Sequence, residues 1–218
     1  MARNTRQRII EAAIRLFNER HFGNVTTAEL AADLGITEGN LWYHFKSKRA
    51  LLDVVSALYV ERAKQRLKLG PGEEDILDSY AGFLRALSSE VRDFRFIFRD
   101  RADYGEHSGH MLAHITGIYE GTFEQMARYF MALREEGHLD VGEEWIGPLV
   151  TNAIVLVRFA HEFFREMNVP EADMGEVDWG IFQHLQAFGP LLKPAARRRL
   201  LANLGIADET PPFLPLGA

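Results

Sequence analysis

The chain has 218 residues, 47% of them hydrophobic, with no cysteine and a formal net charge of −6. That apolar share builds a packed core in one or two unequal domains and argues against a disordered chain. The missing cysteines exclude disulfides, thiolate metal sites and cysteine nucleophiles, and suit a reducing cytoplasm. The most apolar window, IGPLVTNAIVLV (146–157), is far shorter than the roughly 20 residues that cross a bilayer. MARNTRQRII has no long apolar run to make a signal peptide, so a soluble cytoplasmic protein with no membrane partner is expected.

Almost every segment reads at the helical period. In TRQRIIEAAIRLFNER, Ile9, Ala12 or Ala13, Leu16 and Phe17 form one apolar stripe. His21-Phe22-Gly23-Asn24 interrupts it. Thr26 and Glu29 then stand at capping-box spacing, which predicts a second helix bearing Leu30, Ala31 and Leu34 and stopped by Gly35. Thr37 is the expected N-cap of a short third helix with Leu41 and Phe45 facing inward, and Ser47 caps a long helix over 48–68. Gly70-Pro71-Gly72 is the clearest boundary. Beyond it, helices are expected near 73–90, 92–104, 107–136, 144–168 and 177–203, the last bent or broken at Gly189-Pro190 and Lys193-Pro194. The Pro-rich tail 211–218 reads as irregular. The predicted fold is all-α: a small N-terminal head on a larger helical body.

Charge divides along the same line. Residues 1–68 hold 12 Lys and Arg against 7 Asp and Glu, a net of +5, whereas the remainder holds 13 against 24, a net of −11. A basic head on an acidic body suits a phosphate-binding module joined to something else. Two short helices joined by a Gly-containing turn make a helix-turn-helix, whose second helix enters the major groove of DNA. Its leading residues are Glu38, Gly39 and Asn40, followed one turn later by Tyr43. Asn bonds adenine through both amide groups, and Glu accepts from the cytosine amine. Gly39 lets the helix start come close. Thr37, Trp42, Tyr43, His44 and Lys48 carry groups suited to phosphates.

Thr5 through Phe17, the Gly23 turn, Thr26-Thr27, Leu30-Ala31, Leu34-Gly35-Ile36-Thr37 and LWYHFKSK (41–48) with Leu51-Leu52 resemble the DNA-binding domain of TetR/AcrR-type transcriptional regulators. The resemblance covers about residues 3–55. It implies a helix-turn-helix domain over 1–50 with its connecting helix at 48–68, and a ligand-binding and dimerisation domain over 51–210. It further implies a homodimeric repressor that reads a palindromic operator and releases it when a small-molecule effector enters the body, with no cofactor and no enzymatic activity. Carried over by position, Thr27, Thr37, Glu38, Gly39, Asn40, Trp42, Tyr43, His44 and Lys48 face DNA. Trp42 departs from the family, which more often has Tyr there.

In the body, Leu149, Ala153, Leu156, Ala160, Phe163 and Met167 recur at spacings of four and three, the pattern of a helix-packing seam. With Ile181, Phe182, Leu185, Phe188 and Leu192 they suggest a four-helix interface across a two-fold axis, the alternative being packing within one subunit. An effector pocket is expected to draw on Phe94, Phe98, Met111, Ile115, Tyr119, Phe123, Met126 and Phe159, with His161 as a polar contact. His107, His110 and His114 share one helical face, a metal-ligand spacing that also fits an ordinary polar face. Two other functions stay open at this point. One is a metal-dependent hydrolase using that histidine face; the other is a helical interaction protein that keeps the helix-turn-helix as architecture.

Overall fold

The computed structural model describes residues 5–72, 74–100, 103, 109–169 and 178–206, and of residue 110 only the backbone. Among the described residues there is no strand, only one bridge between Leu139 and Leu192. The helices are α1 (Thr5–Arg20), α2 (Thr27–Leu34), α3 (Glu38–His44), α4 (Lys48–Arg66), α5 (Ile76–Asp93), α6 (Arg95–Arg99), α7 (Gly109–Glu135), α8 (Ile146–Glu166), α9 (Trp179–Phe188) and α10 (Pro194–Leu204). The all-α expectation holds. One expected helix differs in detail. Phe94 leaves helical geometry (φ −123°, ψ 29°), so α6 starts as a separate helix after α5; of the expected span beyond Asp100, residues 101, 102 and 104 lie outside the described residues. The long C-terminal helix breaks where expected: Gly189–Leu191 tightens into a 3₁₀ turn, Leu192 becomes extended and Pro194 starts α10.

The chain forms two compact units, Met1–Lys68 with Ser89–Thr122, and Leu69–Ser88 with Phe123–Ala218. In the first, Ile9, Ala13, Leu16 and Phe17 of α1 meet Leu30, Leu41, Leu51, Leu52, Val55 and Tyr59 in one buried cluster. Phe94, Phe96, Ile97, Met111, Ile115 and Ile118 belong to the same cluster, which is why that stretch folds with the head. Rings of Phe17 and Phe96 meet edge to face at 5.3 Å. Beside this core, the buried Arg66 of α4 grips the buried Glu90 of α5 with two nitrogens, at 2.8 and 3.2 Å, and donates to the Thr122 hydroxyl at 2.9 Å.

In the second unit, α9 lies along α8, and Gly180 allows the approach: a Cβ there would stand 2.6 Å from the Val157 carbonyl oxygen. Tyr80, Phe83, Tyr129, Phe130, His184 and Phe188 form an aromatic core. The Tyr80 hydroxyl and His184 Nε2 share a hydrogen bond at 2.6 Å. Burial pushes the His184 imidazole down to about 3 from 6.5, so it is neutral. A histidine that charges more readily when unfolded stabilises the fold fully above pH 6.5 and progressively less as pH falls towards 3. Urea unfolding at fixed protein concentration should therefore lose about 2 kcal/mol between pH 7 and pH 5 through this residue. His184→Phe keeps the stack on Phe130 and Phe188, and its pH slope should be shallower by that amount. Equal slopes would remove His184 as the cause.

Candidate nucleic-acid interface

Local hydrogen bonds build the α2–turn–α3 unit as the sequence predicts. Thr26 Oγ1 accepts from the Glu29 N–H at 3.2 Å, and Glu29 Oε2 accepts from the Thr26 N–H at 2.7 Å, a complete capping box. Those bonds hold the Glu29 carboxyl below its ordinary range. Gly35 ends α2 in the left-handed region at φ 65°, where glycine carries no Cβ penalty. Thr37 Oγ1 accepts from the Asn40 N–H at 3.2 Å to start α3, and Ser47 Oγ accepts from the Ala50 N–H at 3.0 Å to start α4. Arg15 of α1 donates to Asp33 of α2 at 2.5 Å. Leu41 and Phe45 are buried and orient α3.

That anchoring leaves one polar, aromatic face in solvent. Thr37, Glu38, Gly39 and Asn40 are exposed, as are Trp42 and Tyr43, the latter 79%. His44 is half-buried, its ring 5.2 Å from that of Tyr43. Nothing in the fold requires glycine at 39: the nearest atom to a Cβ there would be Thr37 Oγ1, at an ordinary 3.8 Å. Thr27 is half-buried, and its hydroxyl donates to Glu38 Oε1 at 2.8 Å. Lys48 is turned inward. Its ammonium donates to the Phe22 carbonyl and lies 4.1 Å above the Phe22 ring, and burial lowers its pKa. Sequence reasoning passed over Lys46 and Arg49, two exposed cations beside the Ser47 cap. Their position next to a cap was the available signal.

The body residues distribute differently from expectation. On α8, Ala153 and Ala160 face the subunit interior with Val150, Val157 and Phe164. Phe182, Leu185 and Phe188 of α9 are buried in the same unit. Helix α9 of the same subunit packs along that face, leaving Leu149 and Leu156 half-buried and Phe163 exposed. The outward stripe of α8 is Val155, Phe159, Phe163 and, just beyond the helix, Met167, each 48–57% exposed. Among the expected pocket residues, Phe94, Met111 and Ile115 are in the core of the first unit, with Phe98 and Tyr119 packed against it. Met126 is fully buried in the second unit, where Phe123 and Phe159 are exposed. His161 Nε2 faces Asp178 Oδ2 at 3.5 Å, and neither atom has a directed hydrogen bond. Of the histidine face, His107 and the side chain of His110 lie outside the described residues. Among the described residues no group of three acidic or histidine side chains is placed to hold a metal. No helix among them is long and apolar enough to cross a membrane.

Residues 9–55 match the family described as bacterial regulatory proteins, tetR family, and residues 58–200 match the family described as TetR, bacterial transcriptional repressor. The tetracycline repressor protein class D of Escherichia coli is 36% identical over 102 residues, 47% of this chain and 44% of the relative, so the match spans less than half of that protein's length. A TetR-family transcriptional regulator from Marinobacter aquaeolei VT8 has a similar fold, with a TM-score of 0.75 at 24% identity, covering 93% of this chain and 98% of the other. The crystal structure of AibR in complex with isovaleryl coenzyme A and operator DNA is more distant, with a TM-score of 0.54 at 15% identity over 73% of this chain and 86% of the other.

Proposed function

The chain belongs to the TetR family of bacterial transcriptional repressors, and from that premise we propose that it binds a palindromic operator as a homodimer and releases it to a small-molecule effector. The observation that carries the proposal is the exposed face of α3, held outward by the buried Leu41 and Phe45. Glu38, Gly39 and Asn40 enter the major groove. Asn40 bonds adenine through its amide, and Thr37, Trp42, Tyr43 and His44 meet the flanking phosphates. Thr27 stands beside them at the start of α2, and Lys48, engaged with Phe22, adds charge at short range. Selection of duplexes from a randomised library by the purified full chain tests the reading. Enrichment of a two-fold sequence is expected, and a library that stays random would defeat it.

The partner subunit meets the outward stripe of α8. Val155, Phe159, Phe163 and Met167 recur every four residues, an apolar row that would otherwise remain in water. Phe159→Glu/Phe163→Glu leaves the inner stripe of α8 untouched and should weaken self-association at least about a hundredfold in sedimentation equilibrium. A variant that dimerises like the parent would place the interface elsewhere. The effector enters the body, where His161 Nε2 and Asp178 Oδ2, 3.5 Å apart, are the polar atoms it meets. We place the protein in the cytoplasm with its DNA, acting as a regulator and not as an enzyme.

A further inference from the structure

Thr27 and Glu38 enter the interface from different helices, yet the fold joins them. The Thr27 hydroxyl donates to Glu38 Oε1 at 2.8 Å. Thr26, not Thr27, caps α2, so the Thr27 oxygen is not needed for the helix start. A threonine hydroxyl carries one proton. While it is given to Glu38, it cannot be given to a phosphate. One carboxylate oxygen is thereby held, and Oε2 is left to accept.

We propose that Thr27 is a positioning residue that makes Glu38 a reader of cytosine in the operator. This rests on the operator-binding function proposed above. An ionised carboxylate only accepts hydrogen bonds. In the major groove guanine and thymine present acceptors to it, and adenine places its N7 acceptor beside its amine. Cytosine offers an N4 amine and carries no major-groove acceptor of its own, the nearest being O6 of the paired guanine on one side only. Glu38 so placed is repelled by guanine and thymine, meets a mixed edge on adenine, and is best accepted by cytosine. Because a carboxylate near phosphates is unfavourable on any sequence, its contribution is discrimination between sequences and not affinity. The Thr27 hydroxyl supplies the orientation that a free glutamate, with its several rotamers, would lose.

The test uses the full chain on a randomised duplex library, followed by Kd measurements on duplexes that differ at one base pair. The parent should prefer cytosine at one position of each half-site by roughly tenfold. Thr27→Val keeps the shape without the hydroxyl, and Glu38→Ala removes the carboxylate. Both should reduce that preference to within about twofold while other positions keep theirs. Thr27→Ser restores the donor and should restore the preference. An unchanged profile in Thr27→Val overturns the proposal, and so does an equal loss of affinity on every sequence, which would assign the hydroxyl to a phosphate. An unchanged cytosine preference in Glu38→Ala overturns it whatever Thr27→Val does, including a Thr27→Val chain with reduced helix content by circular dichroism. A parent chain that selects no sequence at all is a different result, and defeats operator binding itself.

Discussion

Replacing Asn40 and Tyr43 together by alanine is expected to weaken operator binding on the order of a hundredfold per half-site engaged. A bidentate Asn–adenine pair discriminates by about 1–3 kcal/mol, and a tyrosine contact to a phosphate contributes about another 1 kcal/mol. The fold should be indifferent to the change. Both side chains are exposed, and the start of α3 depends on the Asn40 backbone N–H, which alanine retains. The single variants should separate the two roles. Asn40→Ala should relax selection at one base pair, whereas Tyr43→Ala should weaken all sequences alike. Neither residue is charged, so the dependence of log K on log salt should stay that of the parent while the affinity drops. Fluorescence anisotropy on the selected duplex at several salt concentrations reads all three quantities. An affinity within about twofold of the parent for the double variant would show that α3 is not the recognition helix.

Arg66→Ala should lower the unfolding free energy by about 3–5 kcal/mol. The guanidinium is bidentate on Glu90, and both side chains are almost wholly inaccessible, at 3% and 1%. Removing one partner leaves a buried carboxylate without its counter-charge, whose desolvation has no compensation. Thr122 would also lose the donor at its hydroxyl, although that hydroxyl keeps its own bond to the Ile118 carbonyl at 2.7 Å. Arg66→Met/Glu90→Leu removes both charges at once and should recover most of the loss, because an apolar pair of similar volume needs no desolvation. Chemical denaturation with unchanged m-values measures the difference. A loss under about 1 kcal/mol in Arg66→Ala would mean that water reaches the pair, and that the ion pair is worth no more than a surface one.

The parts of the interface that were legible in the sequence are those decided within a few residues. Thr26 with Glu29, Thr37 with Asn40 and Ser47 with Ala50 each bond across three positions, so spacing alone predicts them. Leu41 and Phe45 are one helical turn apart and point the same way for the same reason. The inward turn of Lys48 was not legible, because Phe22 lies 26 residues away and becomes its partner only when the α1–α2 turn folds back. The bond between Thr27 and Glu38 was hidden likewise. Each residue suits DNA on its own, and nothing in their spacing says that one holds the other.

The body shows the opposite balance. Helix α8 is apolar on both sides, with Val150, Val157 and Phe164 on one and Val155, Phe159 and Phe163 on the other. Periodicity reports that such a helix is covered, but not by what. What the sequence by itself determined is the helical class, the caps and the face that α3 turns outward, since these follow from backbone hydrogen bonding and a 3.6-residue repeat. Only the tertiary structure decided that α9 takes the Ala153 and Ala160 side of α8, that Gly180 permits this contact, and that Phe159 and Phe163 stay exposed. Those choices depend on which apolar surfaces meet between helices distant in sequence, and burial free energy, being non-directional, leaves no local mark of its partner in the chain.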